Sequence, residues 1–151
     1  MITISGEEKR DLKSKMIVIV DSDGLIGVSN AEDAHYLVSI SILQKLKKLN
    51  ARLIYPATII VESTTVLQVR LNKSDTANQI IEFTKSGVFQ IEPVSQATLV
   101  DAASFLDKGR SKHATIFDGI VAAIAQKHQA DAIFSFDKFY KKKGFKLASE
   151  L

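Results

Sequence analysis

The stretch IVIVDSDG, residues 17–24, runs from four apolar residues directly into two aspartates and a glycine. The apolar run begins one residue earlier, so it covers Met16–Val20. A continuously apolar run of this length, rather than an alternating one, is typical of a strand buried on both faces of a parallel sheet. We therefore expect a buried strand that ends at Asp21, with Asp23 and Gly24 in the turn that follows it.

Helix and strand patterns alternate along the rest of the chain. We expect helices over Ala31–Asn50, Pro56–Leu71, Ser74–Ser86, Gln96–Leu106 and Ile116–His128, with a helical turn at Asp137–Lys142. We expect further strands over Ala51–Tyr55, Val88–Ile91 and Ala132–Phe136, and an edge strand at Phe145–Leu147. This order predicts one α/β domain over residues 16–151, a three-layer α/β/α fold around a mainly parallel four- to five-stranded sheet. Residues 1–15 are expected to form an N-terminal extension outside that domain.

The composition is that of a globular protein in a reducing compartment. The chain has 151 residues, of which 46% are hydrophobic and 25% charged, and it has no cysteine. Disulfides and thiolate metal sites are therefore excluded, and a cytoplasmic location is expected. No apolar run reaches the roughly 18–20 residues of a membrane helix, so no membrane association is expected. The net charge of +3 slightly favours a polyanionic partner.

Three aspartates stand at element boundaries near the expected carboxyl edge of the sheet. Asp21 and Asp137 each follow a strand, which is where open α/β sheets bind their ligands. Asp118 lies in the first turn of a helix whose N-cap is Thr115. Each has a purely structural alternative: Asp118 completes a capping box with Thr115, and Asp137 is an N-cap or turn residue.

A fourth acid, Glu62, lies inside a helix rather than at an element boundary. On a helical wheel it is surrounded by an apolar stripe that includes Ile59 and Val69. An acid in such a stripe is not an ordinary solvated residue. The alternative is an acid at the edge of the core that pairs with an arginine, either Arg52 or Arg70.

Four acids gathered at one edge of a sheet have to be neutralised. Two carboxylates about 4 Å apart repel by roughly 4 kcal/mol at an effective dielectric constant near 20. Without a cation they would raise one another's pKa or push the pocket open. Carboxylate oxygens without thiolates are the ligands that Mg²⁺ and Mn²⁺ prefer. The pattern therefore predicts a divalent-metal site, and in a basic protein that site suggests hydrolysis of a phosphodiester.

The order of these features resembles the PIN-domain nucleases. A hydrophobic strand ends at Asp21, Glu62 lies in PATIIVES, and TIFDGIVAAIAQKHQADAIFSFD, residues 115–137, contains Asp118 and Asp137. The similarity covers most of the chain from Met16 onwards, and it is strongest to the small VapC-type toxin ribonucleases. The resemblance implies that the four acids are the catalytic residues and the ligands of Mg²⁺ or Mn²⁺. It also implies RNA cleavage that leaves a 5′-phosphate, with one or two metal ions.

Two residues beside the acids are expected to act indirectly. Ser135 occupies the position of the Ser or Thr that is usual in the resembled family, and Gly144 that of its turn glycine. Asp23 departs from the family pattern, which more often has Ser, Thr or Asn there. We expect Ser135 and Asp23 to hold the metal ligands in place rather than to bind the metal, with Asp23 alternatively a turn residue.

Basic residues flank the segments that carry Asp118 and Asp137, and RNA phosphates are expected to bind them. The expected RNA-binding residues are Lys108, Arg110, Lys112, Lys138, Lys141, Lys142 and Lys143. Phe139, Tyr140 and Phe145 are interleaved with the second group, so unpaired bases have rings on which to stack. The alternative is that the lysines only solvate the surface and the rings belong to the core.

Further partners and other functions follow from the same pattern. The resemblance implies a cognate antitoxin and a homodimer, for which the helices Ala31–Leu49 and Pro56–Leu71 are candidate docking surfaces. A PIN nuclease of RNA processing would show the same residues. A non-catalytic PIN-like module that binds RNA or protein would be expected to lack one of the acids. A Mg²⁺-dependent phosphatase with Asp21 as nucleophile explains Asp21-x-Asp23, but it leaves Glu62 unexplained.

Overall fold

The computed structural model describes residues 15–109 and 114–151. The strands are β1 Ile17–Val20, β2 Arg52–Pro56, β3 Gln90–Glu92 and β4 Ala132–Phe134. The helices are α1 Ser22–Ser29, α2 Tyr36–Lys48, α3 Ala57–Thr65, α4 Ser74–Ser86, α5 Gln96–Ser104, α6 Ile116–Lys127 and α7 Lys138–Lys142. A π-helical segment, Val66–Arg70, continues α3, and a 3₁₀ turn, Ala148–Glu150, ends the chain. Of the expected N-terminal extension, all but Lys15 lies outside the described residues.

The strands form one parallel sheet in the order β3-β2-β1-β4. Because β1 is a central strand, its Val18–Val20 are at most 2% exposed, and the strand is apolar on both faces. The edge strand expected at Phe145–Leu147 is reduced to one parallel bridge between Leu147 and Ile133. The predicted mainly parallel sheet is therefore confirmed, with four strands and one bridge in the described part of the chain.

The helices form two groups, which gives the predicted three-layer α/β/α arrangement. One group consists of α1 packed on α2 and α3, with α4 on α3, and the other of α5 packed on α6, which also contacts β1. Seven consecutive residues of α6, Gly119–Ala125, are buried, and the alanines and glycine among them allow close packing. Across residues 15–109 and 114–151, no helix is long and apolar enough to span a bilayer.

The segment after β1 is a helix, so the prediction of a turn at Asp23 and Gly24 is wrong. The Oδ1 atom of Asp21 accepts the backbone N–H of Ser22 over 2.8 Å and thereby caps α1. Asp23 lies in the first turn of α1, where the helix dipole stabilises an acid. The error arose because aspartate is common both in turns and at helix N-caps.

The next helix begins at Tyr36, five residues later than expected. The intervening residues bind their own backbone instead of continuing into a helix. Asn30 Oδ1 accepts the N–H of Glu32 over 3.2 Å, and Asp33 Oδ1 accepts the N–H of His35 over 2.8 Å. Such local side-chain bonds compete with helix formation.

The apolar stripe expected around Glu62 does not persist along the helix. Ile59 is fully buried, but Val69 is 73% exposed. Val69 lies inside the π-helical segment Val66–Arg70, whose wider turn places side chains differently from the α-helical wheel on which the stripe was based. The placement of Val69 beside Glu62 in a buried stripe is therefore wrong.

Gly24 sets the distance between α1 and β4, and we expect Gly24→Ala to lower the free energy of unfolding by about 1–3 kcal/mol. A Cβ atom at this position would lie 2.4 Å from the carbonyl oxygen of Phe134. Urea denaturation of the variant measures the loss. Gly109→Ala is the control, because among the described residues its Cβ would have no neighbour within 4 Å. Equal stability of the Gly24 variant and wild type would contradict the close approach of α1 to β4.

Candidate active site

The candidate site lies where β1 and β4 end side by side. Val20 pairs with Phe134, so the next residues of the two strands, Asp21 and Ser135, are neighbours. The N–H of Asp21 also donates to the carbonyl of Phe134 over 3.1 Å. Parallel strands bring their carboxyl ends to one edge of the sheet, where α/β proteins bind ligands. The topology thus joins two segments that are 114 residues apart in sequence.

The carboxylate of Asp21 is held by three hydrogen-bond donors. Its Oδ1 accepts the N–H of Ser22, and its Oδ2 accepts the hydroxyls of Ser135, over 3.0 Å, and Tyr140, over 2.9 Å. Asp21 is 5% exposed and Tyr140 is fully buried. Donors of this kind favour the ionised carboxylate. The sequence did not predict the hydrogen bond from Tyr140 to Asp21, because Tyr140 is only one of several aromatic residues in a lysine-rich segment.

Ser135 connects Asp21 to two further acids. Its hydroxyl lies 3.1 Å from Oδ2 of Asp23, and its Oγ accepts the N–H of Asp137 over 3.1 Å. Asp23 Oδ2 also accepts the N–H of Phe136 over 2.9 Å. The other oxygen of Asp23, Oδ1, is buried and has no hydrogen-bond partner among residues 15–109 and 114–151. Such an unpaired buried oxygen is uncommon and leaves the carboxylate open to another ligand.

Asp118 and Asp137 both have the capping roles that the structural alternatives require. Asp118 Oδ2 accepts the N–H of Thr115 over 2.9 Å, which forms the expected capping box of α6. Asp137 caps α7, and its Oδ1 accepts the N–H of Phe139 over 2.9 Å. These hydrogen bonds fix the position of both carboxylates, and each bond occupies one carboxylate oxygen.

Glu62 lies half-buried on α3 and faces the other acids rather than an arginine. Among the described residues it forms no ion pair, and Arg52 instead donates to Gln90 over 2.8 Å. The side chain of Ser22, in the first turn of α1, lies close enough to the Glu62 carboxylate to oppose the rise of its pKa that burial causes. The pairing of Glu62 with Arg52 or Arg70 is therefore not found.

The acids act on one another electrostatically. Burial raises the pKa of Asp21 well above its usual range, and the negative charges of Asp23 and Asp118 raise it further. Burial also raises the pKa of Asp23, with an added contribution from Asp137. The pKa of Glu62 and that of Asp118 are raised first by burial and then by neighbouring carboxylates. The fold therefore brings all four predicted acids, together with Asp23, within electrostatic range.

The donor set fits a hard divalent cation in its chemistry. It consists of carboxylates without thiolates, the ligands of Mg²⁺ and Mn²⁺. The oxygen Oδ1 of Asp23, buried and without a hydrogen-bond partner in the described part of the chain, is available to such a cation. In residues 15–109 and 114–151, no three acidic or histidine side chains lie close enough to form a complete metal site as they stand. A cation would therefore have to draw its ligands together.

Two of the predicted RNA-binding lysines form ion pairs with acids of the protein. Lys141 pairs with Glu150 over 2.6 Å, and Lys143 pairs with Asp107 over 3.1 Å. Lys108, Lys138 and Lys142 are exposed, whereas Arg110 and Lys112 lie outside the described residues.

The rings interleaved with these lysines pack into or against the hydrophobic core. Tyr140 is fully buried with its hydroxyl on Asp21, so its predicted stacking on RNA bases is wrong. Phe139 and Phe145 are partly buried and pack against the core. This is the alternative that the sequence left open: Phe139, in α7, and Phe145, after it, belong with the core.

No family model matches the sequence, and no curated protein matches it. Solved structures do match. VapC20 of Mycobacterium tuberculosis, a toxin that cleaves the sarcin–ricin loop, superposes with a TM-score of 0.72 at 19% identity, over 85% of this chain and 95% of its own. FitAcB from Neisseria gonorrhoeae superposes with a TM-score of 0.57 at 16% identity, over 89% of this chain and 94% of its own. FitAB bound to an IR36 DNA fragment superposes with a TM-score of 0.55 at 14% identity, over 89% of this chain and 91% of its own. The chain therefore has the fold of the VapC-type PIN nucleases.

Proposed function

We propose that this protein is a divalent-metal-dependent ribonuclease that hydrolyses RNA phosphodiester bonds, and that it is the toxin of a toxin–antitoxin pair. The observation that carries the proposal is the convergence of four acids, with Asp23, at the carboxyl edge of the sheet. Burial first, and neighbouring carboxylates second, raise the pKa of Asp21, Asp23, Glu62 and Asp118 there. Residues 16–151 form the nuclease domain in this proposal, and cytoplasmic RNA is the substrate.

The ligands of Mg²⁺ or Mn²⁺ in this proposal are Asp21, Glu62, Asp118 and Asp137. A bound divalent cation supplies an activated water and neutralises charge on the scissile phosphate. Asp21 is pre-oriented by its three donors, and Asp118 and Asp137 by their helix caps.

Ser135 and Asp23 hold these ligands in place. The Ser135 hydroxyl contacts both Asp21 and Asp23, and it receives the N–H of Asp137, so one side chain sets the spacing of three acids. Tyr140 adds a third connection to Asp21. Networks of this kind around metal ligands commonly control affinity by about 10–100-fold.

The RNA phosphates are assigned to the exposed lysines Lys108, Lys138 and Lys142, and to Arg110 and Lys112. Lys138 is the residue directly after Asp137, so a phosphate bound there lies close to the acids. Lys141 and Lys143 are less suited, because each already pairs with an acid of the protein. The fold similarity to VapC20, which cleaves the sarcin–ricin loop, supports RNA as the substrate.

An antitoxin is the expected protein partner, and an apolar cleft offers it a docking surface. The cleft has a volume of about 570 Å³ between α2, α4 and the sheet. Leu43 and Phe83 line it together with the basic residues Lys47 and Arg52. This chemistry fits a peptide segment that combines apolar and acidic side chains.

A homodimer is expected through the exposed face of α3. Val61 is 63% and Val69 73% exposed, eight residues apart along α3 and its π-helical continuation. We expect the double variant Val61→Lys/Val69→Lys to be a monomer and wild type a dimer by light scattering, because charge at an apolar interface is costly. Val100→Lys, at an exposed valine of α5, is the control and should stay dimeric. A dimeric double variant would contradict this interface.

The alternatives fit the site less well. A non-catalytic RNA- or protein-binding module gives no reason to keep four acids at one edge of the sheet at an electrostatic cost. A phosphatase with Asp21 as nucleophile gives no reason for Glu62 to lie half-buried beside the other acids. A PIN nuclease of RNA processing shares the chemistry and differs only in its substrate and partners.

Cleavage of labelled single-stranded RNA by the purified protein tests the proposed activity. We expect cleavage with Mg²⁺ or Mn²⁺, no cleavage with EDTA, and 5′-phosphate ends by mass spectrometry. Binding of several RNAs without cleavage under either metal would favour the non-catalytic module instead. A stable aspartyl-phosphate formed from a phosphate ester would favour the phosphatase.

A further inference from the structure

An aromatic pair at the rim of the acid cluster is not used by the chemistry described so far. The rings of His35 and Phe136 are stacked, with centroids 4.2 Å apart and planes only 8° from parallel. His35 is the N-cap residue of α2 but makes no side-chain capping bond. Its ring is therefore held by Phe136 rather than by a role in the helix.

The pair is tied to the acids through Phe136. This residue lies between Ser135 and Asp137, and its N–H donates to Asp23 over 2.9 Å. On its inner side it meets the ring of Phe134 edge-on, with centroids 6.4 Å apart. Phe136 is thus fixed both by backbone and by ring contacts, immediately beside the carboxylates.

The outer ring of the pair faces solvent. His35 is exposed, whereas Phe136 is partly buried beneath it. The backbone of His35 is fixed because its N–H donates to Asp33 over 2.8 Å. An exposed flat ring on a rigid support is the arrangement on which unpaired bases stack. The rings of α7 do not offer this, because Tyr140 is buried and Phe139 packs against the core.

We propose that the His35–Phe136 pair is a stacking platform for an unpaired RNA base next to the scissile phosphate. The base extends the stack on the free face of His35, while its backbone runs past Asp137 toward Lys138. Stacking needs a base that is not paired, so the platform selects single-stranded or looped RNA over duplex. Because every base has a flat face, the selection is for strandedness rather than for sequence. This inference rests on the proposed ribonuclease function.

RNA binding is measured separately from cleavage in the Asp118→Asn background, with fluorescence anisotropy of a labelled single-stranded 12-mer RNA and of its duplex. We expect His35→Ala to weaken single-strand binding by about 5–100-fold, from the usual contribution of one stacked base. His35→Trp should retain or improve binding, whereas His35→Leu, which keeps apolar bulk without an aromatic face, should behave like His35→Ala. The affinity for the duplex should be weak in the parent, and the His35 substitutions should leave it unchanged. A 2-aminopurine base in the RNA should be quenched by wild type and not by His35→Ala.

The outcomes separate this inference from the proposed function. Equal single-strand affinity of His35→Ala and its parent would overturn the platform, even if wild type cleaves RNA. Duplex binding as tight as single-strand binding would also overturn it. If wild type cleaves no RNA under any metal but the stacking series behaves as expected, the platform stands and the hydrolytic function fails. Each variant should still unfold cooperatively, with at most the small loss of stability expected from one exposed ring pair, and this excludes misfolding.

Discussion

Asp118→Asn is expected to reduce RNA cleavage by at least about 100-fold while the protein stays folded. The carboxylate of Asp118 contributes charge to the cluster that is proposed to bind the metal, and loss of several kcal/mol of charge stabilisation corresponds to this factor in rate. Asparagine keeps a carbonyl oxygen that can still accept the N–H of Thr115, so the capping box of α6 is retained. Cleavage rates under saturating Mn²⁺ measure the effect.

Asp75→Asn is the matched control for this variant. Asp75 also lies in the first turn of a helix, α4, but it is exposed. Both substitutions remove the same favourable interaction with a helix dipole, about 0.3–1 kcal/mol. Any shared loss of stability therefore cancels in the comparison. Full RNA cleavage by Asp118→Asn would show that Asp118 is not part of the active site. Equal losses of cleavage rate in both variants would show an effect on folding alone.

A divalent cation is expected to stabilise the protein, and more so at high pH. In the metal-free protein the pKa values of Asp21, Asp23, Glu62 and Asp118 lie above those of an unfolded chain, with burial as the first cause. The folded state therefore binds more protons than the unfolded state once the pH rises above the unfolded values, near 4. The contribution of these groups to the free energy of unfolding is present at low pH and is lost as the pH rises through their folded pKa values.

Thermal unfolding between pH 5 and pH 8 measures this dependence. Without metal, these groups should make the protein less stable at pH 8 than at pH 5. Mg²⁺ or Mn²⁺ at about 100 times its dissociation constant should raise the melting temperature at pH 8 by roughly 5–10 °C, from about 2.7 kcal/mol of binding free energy. The increase should be smaller at pH 5, where protons compete with the cation. A shift that is the same at both pH values, or the same in Asp118→Asn, would contradict a cation among these acids.

Local signals in the sequence were sufficient for most of the architecture. The buried strand before Asp21, the Thr115–Asp118 capping box and the bounds of α4 at Ser74 and Ser86 all depend on neighbours within a few residues. They could be predicted because a helix cap or a buried strand is determined by residues that are adjacent in the sequence. The errors arose where one residue type serves two local structures, as at Asp23, or where a π-turn changes the helical register, as before Val69.

The site itself depends on contacts that no local pattern contains. The sequence pointed to the four acids because their positions at strand ends and in a helix were unusual for surface residues. The hydroxyl of Tyr140 reaches Asp21 from 119 residues away, and His35 meets Phe136 across a similar separation. Such pairs arise from the way β1, β4 and α7 converge, so only the assembled fold shows them. For the same reason the lysine run was misleading, since two of its members turned out to pair with acids of the protein.

Binding of Mn²⁺ to the metal-free protein tests the central claim most directly, because it needs neither the right RNA nor an antitoxin. Calorimetric titration should give one or two Mn²⁺ per chain for wild type and for Asp75→Asn, and at least about 10-fold weaker binding for Asp21→Asn. Asparagine can still cap α1, so circular dichroism should show that Asp21→Asn is folded. Equal Mn²⁺ affinity in wild type and Asp21→Asn, or no binding by wild type at millimolar Mn²⁺, would contradict a metal site at the carboxyl edge of the sheet.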